Sequence, residues 1–156
     1  MEEKLQPETL AAWRGLLFTH AAVVRALEMD MLEQHDLPIA WFDILGRLNR
    51  SGDGRLRMHE LEMASLYTRS GLTRLADRLE EAGLVRRERS AEDRRGVYLA
   101  ITEAGIAKID EVWDDHQRGI QKYFGRHLDA SDAAAIRRAT EKVLGGFEMS
   151  EPLDDT

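Results

Sequence analysis

The amino-acid sequence predicts a mainly α-helical fold with a small β-wing, organised as a single domain over residues 1–156. Two observations carry this prediction. Long stretches near both ends of the chain repeat apolar residues at helical spacing. Between them, residues 58–101 have the pattern of two short helices followed by a pair of strands around a polar tip. This order of elements is the layout of a winged helix-turn-helix lobe flanked by long helices.

Composition and length place the chain among ordinary globular proteins. Hydrophobic residues make up 43% and charged residues 33% of the chain. No apolar run approaches the roughly 20 residues that a membrane-spanning helix needs, and the N-terminus lacks the basic-then-apolar order of a signal peptide. We therefore expect a cytoplasmic protein without a membrane partner. The absence of cysteine excludes disulfides, thiolate metal sites and thiol-based redox sensing.

The net charge of −7 argues against nucleic acid as a partner, because phosphate binding needs clustered cations. The distribution of the charge reverses this argument. Residues 47–95 hold 12 arginines and 9 acidic residues, which leaves 10 basic and 20 acidic residues in the rest of the chain. The positive charge therefore lies in the segment with the short helices and strands, and double-stranded DNA is a candidate partner of that segment.

The two ends of the chain, residues 7–35 and 103–146, are predicted to form a helical dimerisation region. A first helix over residues 7–33 carries a stripe of apolar residues at helical spacing: Leu10, Trp13, Leu17, Ala21, Val24, Leu27 and Met31. About 27 residues at 1.5 Å each give a helix about 40 Å long, which one small lobe cannot cover. We therefore expect part of the stripe to meet a second copy of the chain. Residues 147–156 are predicted to be a loose acidic tail.

Residues 38–101 are predicted to form the winged helix-turn-helix lobe. Thr68 can cap a helix over residues 69–82, on which Leu72, Leu75 and Leu79 share one face. Gly83 follows at a position that favours a positive φ. The other predicted elements are a helix over 39–50, a turn at 51–54, an extended link over 55–58, a short helix over 59–65, and paired strands over 84–89 and 97–101.

The leucine face of the helix over 69–82 determines which of its side chains point outward. The candidate DNA-binding residues of this helix and its cap are Thr68, Arg69, Ser70, Thr73, Arg74 and Arg78. Arginine can contact guanine O6 and N7, serine and threonine can contact bases or phosphates, and the N–H groups at the helix start can hold a phosphate. The alternative is a solvated amphipathic helix in which Arg74 and Arg78 pair with Asp77 or Glu81.

The polar tip between the two strands adds Arg94 and Arg95 to the candidate DNA-binding residues. A narrow minor groove has an enhanced negative potential that attracts inserted arginine, so the tip can fix the register of the lobe on a duplex. Asp93 is expected to support an arginine rather than to contact DNA, because phosphates repel a carboxylate. The alternative is a charged hairpin turn without a partner.

The run LTRLADRLEEAGLVRRERSAEDRRGVYLAITEAG resembles the recognition helix, the wing and the start of the next helix in the MarR (multiple antibiotic resistance regulator) transcription factors. The D-x-R pattern of that family's wing falls on Asp93 and Arg95, and a strand leads from there into Leu99-x-x-Thr102-x-x-Gly105. The resemblance covers nearly the whole chain, since the flanking long helices match the family's dimerisation region.

The resemblance implies a homodimeric regulator that binds pseudo-palindromic operators, often as a repressor released by small phenolic or other aromatic ligands. It also favours Arg95 over Arg94 as the arginine that enters the minor groove. The absence of cysteine excludes the peroxide-sensing branch of the family. In such a dimer the two lobes are expected to lie one helical turn of DNA apart, about 34–36 Å.

Four side chains are candidates for an aromatic-lined cleft between the long helices and the lobe, where the resemblance implies effector binding: Trp13, His20, Trp41 and Tyr67. The alternative for each of them is packing in the core or at a dimer interface. The sequence does not identify a ligand.

No catalytic, cofactor or metal site is predicted. The segment from Asn49 to Glu60 places oxygen-bearing residues at calcium-loop positions, but Arg50, Arg55 and Arg57 lie within it, so a turn and a short strand are favoured. No glycine-rich phosphate loop or nucleophile elbow occurs, and an enzyme is therefore not expected. The competing class of function is a dimeric winged-helix module that binds protein and no DNA, an alternative that the overall acidity of the chain leaves open.

Overall fold

The structure, a computed structural model, describes residues 4–64, 67–89 and 96–147. The described residues form α1 (Pro7–His35), α2 (Ile39–Arg50), β1 (Arg55–Arg57), α3 (Met58–Ala64), α4 (Arg69–Glu81), β2 (Val85–Arg89), β3 (Val97–Ile101), α5 (Glu103–Tyr123), a 3-10 turn (Gly125–His127) and α6 (Ala130–Gly145). The fold is therefore mainly helical with one small sheet, as the sequence predicts. The predicted tail falls on residues 147–156, of which 148–156 lie outside the described residues.

The three strands form one antiparallel sheet in the order β1-β3-β2. Pairing of β2 with β3 confirms the predicted hairpin, and Arg89 opposite Val97 is its last described pair before the tip. The extended link pairs as well, because Leu56 lies opposite Leu99 and β1 occupies the other edge of β3. The predicted two-stranded ribbon is therefore incomplete. Three residues show too little alternation to identify a partner strand from sequence.

The hydrophobic core lies within the lobe and against the inner parts of the long helices. The side chains with no exposed area come from α2, α3, α4, β3 and α5: Ile44, Leu45, Leu48, Leu61, Ala76, Leu79, Leu99 and Val112. Met31 of α1 belongs to the same core cluster, and Leu27 of α1 is buried against Gly119 of α5. One chain therefore closes the core of the lobe by itself.

Thr102 joins the sheet to α5. Its hydroxyl donates to the carbonyl oxygen of Gly83 at 2.7 Å and accepts the N–H of Gly105 at 3.1 Å, which caps α5. Gly105 packs directly against the carbonyl oxygen of Leu84, where an added Cβ would collide. Gly83 has a φ of 73°, which confirms the predicted left-handed turn after α4. These contacts set the direction in which α5 leaves the lobe.

Outside the lobe, the long helices leave large apolar side chains in solvent. On the N-terminal half of α1, the exposed ones are Trp13, Leu16, Leu17 and Phe18, Met29 and Leu32 are exposed further along the helix, and no described residue of α6 is buried. Polar contacts tie α1 to α5, since Asp30 accepts the Tyr123 hydroxyl at 2.7 Å and His35 Nε2 lies 2.9 Å from a carboxylate oxygen of Asp115. Among the described residues, no helix has the combination of length and apolar character required to cross a membrane.

Candidate nucleic-acid interface

One face of α4 holds this helix in the lobe. Leu72, Ala76 and Leu79 are buried on that face, with at most 1% of their surface exposed. Thr68 caps the helix as predicted, because its hydroxyl accepts the N–H of Gly71 at 3.2 Å. The buried face and the cap together fix the rotation of α4 about its own axis. The opposite face is thereby presented to solvent.

The residues predicted to read DNA all lie on this exposed side: Thr68, Arg69, Ser70, Thr73, Arg74 and Arg78. The hydroxyl of Thr73 donates to the carbonyl oxygen of Arg69 at 2.9 Å. The hydroxyl oxygen can still accept a hydrogen bond on this exposed side of α4. The Nε of Arg74 donates to the carbonyl oxygen of Ser70 at 3.3 Å. The rest of the Arg74 guanidinium remains available to an approaching base or phosphate.

The arginines of α4 make no ion pair with any carboxylate of the described segments 4–64, 67–89 and 96–147. The structure therefore does not have the alternative arrangement, in which Arg74 and Arg78 pair with Asp77 or Glu81. Two of the three acidic residues of α4 pair with a different arginine. Asp77 and Glu80 both bind Arg87 of β2, a contact that sequence reasoning missed.

The tip of the wing, with the predicted residues Asp93, Arg94 and Arg95, lies outside the described residues. The strands that lead to it are described up to Arg89 and from Gly96. Because β2 packs beside α4 through Arg87, the base of the wing lies next to the candidate reading face of α4.

A cavity of about 800 Å³ lies between the long helices and the lobe. Of the four side chains predicted for a cleft there, His20 and Tyr67 line the cavity. Trp41 packs against the core and Trp13 is exposed on α1, and neither is among the lining residues. The structure thus brings two of the four candidates together.

Sequence reasoning missed three aromatic side chains that line the cavity, Phe42, Trp113 and His116. Phe42 lies close to both of the others, with ring centroids 6.3 Å from Trp113 and 4.4 Å from His116. The spacing of Trp113 and His116, three residues apart on α5, is a sequence signal that they share a helix face. Nothing in the sequence shows that α2 delivers Phe42 to that face.

Burial favours the uncharged forms of two side chains that line the cavity, Tyr67 and His116. Burial raises the pKa of the Tyr67 hydroxyl, and the negative charge of Asp43 adds to the effect. Burial lowers the pKa of His116, whose Nδ1 is buried with no hydrogen-bond partner among the described residues. The cavity therefore combines aromatic walls, a phenol and an imidazole in their uncharged forms, and the charged side chains of Arg50 and of the Asp43–Arg47 ion pair.

Comparison with known proteins links this arrangement to one family. A family model described as "MarR family" matches residues 35–96. The transcriptional repressor MdtR of Bacillus subtilis (strain 168) is 30% identical over 123 residues, which cover 79% of this chain and 77% of MdtR. The transcriptional regulator PecS of Dickeya dadantii (strain 3937) is 36% identical over 93 residues, which cover 59% of this chain and only 55% of PecS.

Among solved structures, Sco3205 is a MarR family transcriptional regulator from Streptomyces coelicolor whose crystal structure is in complex with DNA. It superposes on this chain with a TM-score of 0.85 at 25% sequence identity. The superposition covers 96% of this chain and 94% of Sco3205. The similarity therefore extends to the long helices as well as the lobe.

Proposed function

The chain belongs to the MarR family of transcriptional regulators, and on that premise we propose that it is a homodimeric repressor of a pseudo-palindromic site in double-stranded DNA. The observation that carries the proposal is the exposed face of α4. There Arg69, Arg74 and Arg78 have no ion-pair partner among the described residues. Guanidinium groups without an ion-pair partner can neutralise phosphates or contact guanine O6 and N7, because no ion pair within the protein has to break first.

We propose that α4 and the wing both contact DNA. Arg74 and Thr73 lie one turn inside the start of α4, the part of a recognition helix that reaches base edges in the major groove. Thr68 and Arg69 at the helix start meet a phosphate. Arg95 enters the neighbouring minor groove, with Arg94 beside it and Asp93 as support. The DNA complex of Sco3205, which shares this fold, supports DNA as the partner of this lobe.

The apolar surface that one chain leaves open supports the proposed homodimer. Trp13 is 55%, Leu17 48% and Phe147 70% exposed in the single chain. An apolar surface of this extent on α1 and at the end of α6 is characteristic of a protein interface. A second copy that covers both helices places two α4 helices on one face of the dimer. The dimer then meets two half-sites about 34–36 Å apart.

The cavity supports release of the DNA by a small aromatic ligand. A volume of about 800 Å³ lies within the range of ligand pockets, and Phe42 and Trp113 provide aromatic walls. His20, Tyr67 and His116 supply hydrogen-bonding groups to orient a polar ring substituent. Because the cavity is lined by α1 and α5 as well as α2, an occupant can alter the angle between the dimer helices and the lobe.

Selection of bound duplexes from random DNA tests the proposal, with DNA from upstream of the protein's own gene in a parallel mobility-shift assay. We expect an enriched inverted repeat whose half-sites are one helical turn apart, and a binding constant that falls steeply with salt because arginine–phosphate contacts release counterions. A chain that enriches no motif and shifts no duplex at low salt would contradict DNA binding. That result would favour the protein-binding alternative.

A further inference from the structure

Asp77 occupies an unexpected place on the candidate reading face. An α-helix turns about 100° per residue, so Asp77 is about 60° from Arg74 around the axis of α4, and one turn beyond Thr73. Its side chain is about half exposed. A carboxylate here lies among the residues that the proposed function directs towards DNA.

An unrestrained carboxylate at position 77 would oppose DNA binding in two ways. Residues three apart on a helix are neighbours, so Asp77 could take the Arg74 guanidinium as an ion-pair partner. Its negative charge would also repel the phosphates of a duplex that approaches α4. The structure has neither the Arg74 pair nor an isolated Asp77.

Arg87 of β2 holds Asp77 instead. Its Nη2 donates to Asp77 Oδ1 at 2.6 Å, and its Nη1 donates to Glu80. Glu80 also accepts the backbone N–H of Arg87 at 2.9 Å, which anchors the start of the Arg87 side chain to α4. The two carboxylates raise the pKa of Arg87 against the opposing effect of its partial burial, so the guanidinium stays charged. A planar guanidinium can bind both carboxylates at once, which a lysine ammonium group cannot match in geometry.

We propose that Arg87 is a positioning residue for DNA recognition, which draws the Asp77 carboxylate towards the wing and so leaves the Arg74 guanidinium available to DNA. This inference rests on the proposed DNA-binding function. Arg87 acts through Asp77 and Arg74, and its role needs no contact of its own with the duplex. The exposed face of α4 then offers its arginines to DNA without the opposing charge of Asp77.

The test compares four full-length proteins: wild type, Arg87→Gln, the double variant with Arg87→Gln and Asp77→Asn, and Glu80→Gln. Each is titrated with a fluorescent duplex that carries the inverted repeat recovered by selection. Arg87→Gln releases Asp77, so we expect its dissociation constant to rise about tenfold, since arginine–base contacts of this kind contribute about that much or more. Adding Asp77→Asn to Arg87→Gln removes the competing carboxylate, and we expect affinity within about threefold of wild type.

Glu80→Gln is the matched control, because it breaks one arm of the Arg87 contact and leaves the Asp77–Arg87 pair in place. We expect Glu80→Gln to bind the duplex within about threefold of wild type. Melting temperatures of all four proteins separate binding from folding. A purely structural role for Arg87 would make the double variant as weak as Arg87→Gln or weaker, because it has lost more contacts.

Failure of rescue by Asp77→Asn, or an equal loss in Glu80→Gln, would overturn the proposal. So would an Arg87→Gln protein that binds with wild-type affinity. Arg74→Ala, measured alongside, distinguishes this failure from failure of the proposed function. If Arg74→Ala weakens binding and Arg87→Gln does not, only the role of Arg87 is wrong. If Arg74→Ala binds as wild type, the assignment of α4 as the reading helix is wrong, and the role of Arg87 falls with it.

Discussion

The lobe and the long helices differ in how completely one chain buries their apolar residues. In the lobe, Leu45, Leu79 and Leu99 have no exposed surface, and three helices and a sheet enclose them. On the N-terminal half of α1, Trp13 and Leu17 belong to the same kind of apolar stripe yet are about half exposed. The difference shows that similar hydrophobic patterns can form either a core that one chain closes by itself or a surface suited to a second chain.

Leu79→Ala tests the closed core and is expected to have the largest effect. Leu79 is fully buried beneath α4, and truncation of a buried leucine costs about 2–5 kcal/mol through lost burial and a residual cavity. Urea unfolding monitored by circular dichroism measures the loss. Leu17→Ala is the matched control on α1, and in a monomeric sample it should cost far less. Equal losses would contradict the contrast between the two regions.

Leu17→Asp tests the open surface. A carboxylate in a dimer interface is costly because it is buried without a partner, so we expect the dimer to dissociate while the lobe stays folded. Loss of the second half-site should then weaken operator binding about a hundredfold, since the second lobe no longer binds as part of one molecule. Sedimentation measures the oligomeric state and fluorescence anisotropy the affinity. A dimeric Leu17→Asp protein with wild-type affinity would exclude this face as the interface.

Arg74→Ala removes a reading residue and leaves the core and the dimer intact. We expect specific binding to weaken by about 1–3 kcal/mol, the usual contribution of a good arginine–base contact. Arg138→Ala is the matched control for the loss of one positive charge, because Arg138 is an exposed arginine on α6, outside the lobe, and sedimentation must show that this variant is still a dimer. Anisotropy titrations with the selected duplex compare the two. Equal losses in both variants would point to net charge rather than to base contacts.

Asp30→Asn tests the junction between the two regions and should have the smallest effect. The Tyr123 hydroxyl, which donates to Asp30, lowers the pKa of that carboxyl, and Lys122 adds to the effect. A lowered folded-state pKa means that the carboxylate stabilises the fold above its unfolded pKa of about 4 and loses this contribution as the pH falls. The melting temperatures of wild type and Asp30→Asn should therefore differ near pH 7 and converge below about pH 4. A difference that stays constant with pH would contradict the ionic role of Asp30.

Most of the fold could be predicted because its signals are local. The helical stripes, the Thr68 cap and Gly83 after α4 each depend on residues within a few positions of one another, and the structure confirms these elements. The partner strand of β1 could not be predicted, since its pairing with β3 joins residues more than 40 positions apart. Three residues carry no pattern that selects one partner strand over another.

The sequence was enough to predict which residues of the candidate DNA-binding site are exposed, but not which side chains contact each other there. The leucine face of α4 is enough to predict which arginines point outward. The partner of Asp77 depends on how β2 packs beside α4, and the sequence offers nearer arginines as equally reasonable partners. In the cavity, periodicity favoured Trp41 for an inward position, but the rotation of α2 buries the neighbouring Phe42 more deeply. A shift of one position changes which aromatic ring meets α5.

Selection of bound duplexes with wild type and with Arg74→Ala, side by side, tests the central claim that α4 reads DNA through its exposed arginines. We expect wild type to enrich an inverted repeat with one half-site for each lobe. Arg74→Ala should recover the same repeat with its spacing unchanged but lose base preference at one symmetric pair of positions. An identical motif from both proteins, with the same preference at every position, would contradict the account.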